Sequence, residues 1–314
     1  MAAARNTFLQ LLAAAIAIGM TVRTEAAESN RYLPADTQLV IFINVKQILA
    51  SPIIKPDRGR LRQEIKSHVE WHKAMQALGV DPFRDLIGVT VAMPAILEFD
   101  RSLLILHGRF DAATLQARAD QLARDQPDLV KSLNSLDRKF YMMHLPGQRP
   151  LYLAPLENGI VALAASQDVL TKTLGVLSGR KQQKITSELQ KLLAGTDQTA
   201  SVSVAGLGTA LKGFAAGNQV QHLTGEIQLG DEIRVEMKLV AGTAESAKRL
   251  AQQLNEWAEQ FKSMVTVSGA DQKPMTALAE ILDQFKMAEQ GDAVIIKGQV
   301  TRELLEQASK KPEK

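Results

Sequence analysis

The chain has 314 residues, no cysteine, 37 Lys and Arg against 34 Asp and Glu, and a formal net charge of +3. Without cysteine it has no thiolate zinc site, iron–sulfur cluster, cysteine nucleophile, lipid-modified cysteine or disulfide, so its stability rests on a hydrophobic core that this length is able to bury. The small basic surplus, with aromatic residues at only 4%, is not a nucleic-acid footprint, and no nucleic-acid partner is expected.

The first residues read as an export signal. Arg5 supplies a positive start, Phe8 to Val22 is an almost purely apolar run, and small residues follow at Ala26 and Ala27. As a helix that run spans about 22 Å against a hydrocarbon core of about 30 Å, too short for a comfortable anchor. The expected signal peptide is therefore about 1–26, with Glu25 leaving the cleaved bond open and a retained, tilted anchor as the alternative. Loss of Arg5, Arg23 and Glu25 leaves a formal charge of about +2. No later stretch approaches the run of about 18 apolar residues that a spanning helix needs. The mature chain is expected to have no transmembrane segment and to be periplasmic or secreted.

After the turn Leu33-Pro34-Ala35-Asp36-Thr37, the run Leu39 to Ile43 reads as a central strand covered on both faces. Lys46 to Leu49 is a helical turn, and Ser51-Pro52 reads as N-cap and first residue of a further helical piece. An inserted helix is predicted over Arg60 to Leu78, with Leu61, Ile65, Val69, Met75 and Leu78 on or near one stripe and Gly79 at its end. Ile87 to Met93 is a strand. So is Leu103 to Phe110, which leads through Asp111 into a helix carrying Leu115, Ala119 and Leu122 at helical spacing. Phe140 to Leu145 and Leu151 to Ala154 are short strands around a Pro146-Gly147 turn, and Glu157-Asn158-Gly159 fits a hairpin returning through Ile160 to Ala164. Ser166 is read as the cap of a helix holding Val169, Leu170 and Leu174, and Ser187 to Leu193 as a connector helix in a polar stretch.

The alternating Ser201 to Val204 opens a second half. Strands Leu223 to Leu229 and Ile233 to Leu239 follow, then a Gly242-Thr243 bend and a helix carrying Ala247, Leu250, Ala251 and Leu254. A break at Gly269 to Pro274, a helix over Ala277 to Phe285, a strand Ala293 to Ile296 and a closing helix Arg302 to Ala308 complete it. Strand, bend, strand and long amphipathic helix thus recur about 130 residues apart. The expected organisation is a first half 27–180 with a helical insertion 57–79, a second half 181–309 and a solvated tail 310–314. Hairpin-rich order with helices between the strands predicts an α+β fold: two similar halves, each a mainly antiparallel sheet covered on one face by a long amphipathic helix. One shared sheet and two separate ones both fit this pattern.

Chemistry is sparser. Glu64, His68 and His72 stand four apart on the inserted helix, so one face could offer a carboxylate and two imidazoles to zinc, although the zincin order is absent. The bland reading is a polar flank in which Glu64 pairs with Arg60 or His68. Lys55, Arg58, Arg60, Arg62 and Lys66 form the densest basic cluster, either a solvated helix face or a site for an anionic partner. His107, His144 and His222 lie in or near strands as packed residues, and no serine has the Gly-x-Ser-x-Gly setting. Gly206-Leu207-Gly208-Thr209 invites comparison with a dinucleotide loop, but Leu211 stands where the third glycine belongs, and an ordinary strand-to-helix turn is expected. No catalytic residue and no resident cofactor are assigned.

The turn Leu33-Pro34-Ala35-Asp36-Thr37 with its strand and Lys46-Gln47-Ile48-Leu49-Ala50-Ser51-Pro52, together with Asp81-Pro82-Phe83-Arg84-Asp85 and Gly108-Arg109-Phe110-Asp111, resembles a loose family of exported bacterial proteins of unknown function. Pro56-Asp57-Arg58-Gly59 departs from that pattern. The resemblance implies an exported α+β protein and carries no catalytic residue across. The leading expectation is a non-enzymatic binding or scaffold protein of the cell envelope, whose partner is a protein or envelope component. A metal-dependent hydrolase using Glu64, His68 and His72, and a carrier of an apolar ligand, are the alternatives.

Overall fold

The computed structural model describes residues 30–67, 69–145, 147, 149–157, 159–178, 185–197, 199–267 and 279–309. The expected leader at 1–26, His68, the break at 269–274 and the tail at 310–314 lie outside them. The described strands are β1 (Leu39–Ile43), β2 (Leu86–Met93), β3 (Leu103–Gly108), β4 (Val130–Ser135), β5 (Arg138–Met143), β6 (Leu151–Glu157), β7 (Ile160–Ala164), β8 (Val202–Leu207), β9 (His222–Leu229), β10 (Ile233–Val240), β11 (Phe285–Gln290) and β12 (Ala293–Val300). They form one sheet in the order β11-β12-β10-β9-β8-β1-β2-β3-β7-β6-β5-β4, with every neighbouring pair antiparallel. The two flanks therefore share a sheet and meet where β1 pairs with β8, Ile41 opposite Val204.

The helices are α1 (Val45–Ala50), α2 (Arg58–Ser67), α3 (Val69–Leu78), α4 (Pro82–Asp85), α5 (Ala112–Asp125), α6 (Gln167–Leu177), α7 (Ser187–Ala194), α8 (Ala244–Val267) and α9 (Arg302–Ser309), with a further helical stretch at 279–283. The inserted helix is thus described as α2 and α3, on either side of His68. Among the described residues, no helix is long and apolar enough to cross a membrane.

The first flank departs from the one-faced expectation. On one side Ile43, Val89, Leu163, Leu153 and Tyr141 pack with Ile65, Met75 and Leu78 of α2 and α3 and with Leu115, Ala119 and Leu122 of α5. On the other, Val40, Phe42, Leu103, Ile105, Ala162 and Phe140 pack with Val169, Leu170 and Leu174 of α6 and Leu189 and Leu193 of α7. The cause is in the strands: all five residues of Ile160–Ala164 are buried, and such an unbroken apolar run requires cover on both sides. The second flank alternates instead. In β10, Ile233, Val235 and Met237 are half-buried while Arg234, Glu236 and Lys238 are exposed. Its third cluster joins Leu39, Leu223, Leu239 and Val294 to Ala247, Leu250 and Ala251 of α8.

The long helices begin as their residues dictate. Asp111 accepts the Thr114 amide at 2.7 Å at the start of α5, and Thr243 Oγ1 accepts the Ser246 amide at 3.1 Å at the start of α8. Gly242 precedes that cap with φ +83°, where a side chain would collide with Gln221.

Other expectations need correction. Ser51 ends α1, its hydroxyl donating to the Ile48 carbonyl, and does not open the next helix. Ser166 stands at the cap position of α6 but makes no capping bond. The expected connector is α7, capped by Thr186 and burying Leu189 and Leu193, so it belongs to the core. In the hairpin β4–β5 the second strand overlaps the predicted Phe140 to Leu145, but the first is not among the expected strands. Its strand Val130–Ser135 is largely polar, and its turn uses Leu136 and Asp137 at φ 53° and 61°, the positive values of a type I′ turn without the usual glycine or asparagine.

Candidate functional site

The metal-ligand candidates are only partly described. Glu64 is exposed on α2 and His72 is half-buried on α3, while His68 lies outside the described residues. Among the described residues, no group of three or more His, Asp or Glu side chains is arranged to hold a metal ion. The basic cluster is largely engaged with its own chain. Arg58 Nε donates to the Leu49 carbonyl at 2.7 Å, Arg60 lies 3.4 Å from Asp57, and the Arg62 guanidinium sits 4.6 Å from the Phe83 ring centre. The Arg58 and Arg62 contacts fasten the insertion to the body, while Arg60 and Asp57 pair within it. Lys55 and Lys66 remain exposed.

Gly208 belongs to a 3-10 turn, Gly208–Leu211, and not to an α-helix. Its amide donates to the Gln221 carbonyl, and a Cβ there would sit 1.6 Å from the Val220 carbonyl oxygen. The glycine serves close approach of two chain segments, so its donor faces backbone rather than a phosphate.

The perturbed titratable groups have structural causes. Burial pushes the His107 imidazole down to about 4, and its Nε2 lies 3.3 Å from Thr90 Oγ1 inside the sheet. Burial opposes the Asp120 carboxylate, but hydrogen bonds from Lys139 and Tyr141 outweigh it and hold the group below the usual carboxylate range. For Asp85, burial is likewise outweighed by Arg84 and by the Asp81 amide, which locks the α4 turn.

What the structure offers is surface. One cross-strand row on the face under α6 and α7 runs Ala154, Ala162, Ile105, Thr90, Phe42, Ser203 up to the seam and past it, all buried. The same row continues as Glu226, Glu236, Lys297 and Lys286. Glu236, Lys297 and Lys286 are exposed, and Lys297 Nζ meets Glu236 at 2.9 Å. Arg234, Lys238 and Gln299 complete an open, mixed-charge face on β10 and β12. The clue in the sequence was the alternation Ile-Arg-Val-Glu-Met-Lys-Leu-Val, set against the unbroken apolar run of β7.

Two further features stand at the periphery. Leu97 and Phe214 are 60% and 45% exposed on neighbouring loops joined by the Ile96 amide and the Ala210 carbonyl, and Trp257 is 59% exposed on α8. A groove also runs beside each edge strand, one between α5 and β4, the other between α8 and β11.

No family model and no curated protein matches the chain. Among solved structures, crystal form I of TP0453 is similar over 89% of this chain and 95% of that one, at 11% identity and a TM-score of 0.46.

Proposed function

We propose that the chain is exported and acts in the cell envelope as a non-enzymatic binding or scaffold protein, holding a protein or envelope component on the open face of β9 to β12. The observation that carries this reading is the change along one cross-strand row from side chains buried as far as Ser203 of β8, through half-buried Glu226, to the exposed charges of Glu236, Lys297 and Lys286 on β10 to β12. A solvated sheet face with both signs of charge, Arg234, Glu236, Lys238 and Lys297, suits a polar partner surface better than an apolar ligand. The apolar run behind Arg5 supports a cleaved leader of about 1–26.

The same reading includes duplication. Outward from the seam, β1-β2-β3-β7-β6 and β8-β9-β10-β12-β11 follow the same order, with a long helix after the third strand of each. The first flank adds β4 and β5, together with the insertion holding α2 and α3. On this view one copy closed its second face with α6 and α7, and the other kept that face for a partner.

A photo-crosslinking residue at Glu236, compared with one at exposed Glu188 on α7, tests the proposal in cells. Export with leader removal and a defined adduct from Glu236 alone is expected. A chain retained in the cytoplasm, or adducts from Glu188 and none from Glu236, would overturn it.

A further inference from the structure

We propose that the two edges of the sheet recognise each other between copies, so that the chain assembles head to tail through β4 of one copy and β11 of the next. This goes beyond the binding role above and uses a different surface.

The argument begins with charge. The groove between α5 and β4 is lined by Arg124, Lys131 and Lys139 against one carboxylate, Asp120, which Lys139 already pairs at 2.9 Å. The groove between α8 and β11 is lined by Glu256, Glu289 and Glu259, the last paired by Lys262 at 2.8 Å, against one lining cation among the described residues, Lys248. One edge is basic and the other acidic. Like edges brought together would repel, and unlike edges attract, which favours a heterologous contact over a two-fold one.

Strand direction agrees. Twelve strands in strictly antiparallel order leave β4 and β11 running in opposite directions, so a second copy placed alongside in the same orientation continues the alternation. The grooves also share a face. Ser132 of β4 and Met287 of β11 end a single cross-strand row that passes through Tyr141, Leu163, Val91, Ile41 and Met237. Both α5 and α8 pack on the side to which this row points. In the aligned pair, α8 of one copy comes beside α5 of its neighbour, and the acidic groove meets the basic one.

The edges are also built to accept a strand. Each is six residues long, contains no proline, and pairs with its inner neighbour without a bulge. Proline and bulges are devices that commonly block edge pairing. Among the described residues the remaining protection is charge, which deters only an edge of the same sign.

Sedimentation velocity of the full chain over a range of concentrations tests this. In low salt the average mass should rise with concentration, and in about 1 M salt it should fall back, because the screening length shrinks to about 3 Å. Glu256→Lys/Glu289→Lys, all at exposed positions, should weaken association about tenfold or more, as should Arg124→Glu/Lys131→Glu. Mixing the two variants should restore it, since each then meets an edge of opposite sign, and restoration also shows that both are folded. A single monomeric species under every condition would overturn the proposal. So would association that charge reversal leaves unchanged, as contacts through the apolar run 8–22 would be.

Discussion

Leu189, fully buried on α7, decides whether that helix is part of the core. Leu189→Ala should cost about 2–5 kcal/mol, read as a lower urea midpoint, whereas Lys297→Ala on the open face should cost at most about 1 kcal/mol. Similar midpoints for the two would make α7 the surface connector that its polar flanks suggested. Gly208→Ala should destabilise by about 1–3 kcal/mol through collision with the Val220 carbonyl, whatever ligands are present. His107 makes a prediction about pH. Its folded pKa of about 4 lies below the unfolded value of about 6.5, so the unfolded chain takes up the proton first. The stability tied to neutral His107 is complete above about pH 6.5, falls as the pH drops from there to about 4, and changes no further below. The loss amounts to about 3 kcal/mol at most. Urea unfolding at pH 7 and pH 4.5 should show this drop in the native chain and much less of it in His107→Gln. Equal pH dependence in both would remove His107 as its source.

At the scale of elements, the β4–β5 hairpin carries strain that its sequence did not advertise. Leu136 sits at φ 53°, a conformation costing a residue with a side chain about 1–2 kcal/mol, so Leu136→Gly should raise the thermal midpoint. A lower midpoint would mean that packing of the leucine outweighs the backbone cost. The hairpin was hard to read for the same reason: Val-Lys-Ser-Leu-Asn-Ser has only two apolar residues, and Leu-Asp lacks the usual turn chemistry. The long helices were legible because their apolar spacing and caps agree, Asp111 before Leu115, Ala119 and Leu122, and Thr243 before Ala247, Leu250 and Ala251. Ser51 misled because serine serves either end of a helix, and only the Ile48 carbonyl in three dimensions shows which end it closes. The basic run was visible in the sequence, but the engagement of Arg58 with Leu49 and of Arg62 with Phe83 depends on how the insertion folds back.

For the whole molecule, local pattern was enough for an α+β fold of hairpins and helices but not for the seam. Pairing of β1 with β8 joins residues more than 150 positions apart, and nothing in either strand names its neighbour. The unequal cover of the two flanks was written in the strands, in Ile160–Ala164 against Ile233–Val240, and becomes a candidate site only when both lie in one sheet. That inequality is the central claim, and lysine acetylation read by mass spectrometry tests it most directly. Lys238 and Lys297 should react readily in the purified chain and become protected when it is mixed with the envelope of its own cells, while Lys66 and Lys191 react alike in both. Unchanged reactivity of Lys238 and Lys297 in the envelope would contradict the account.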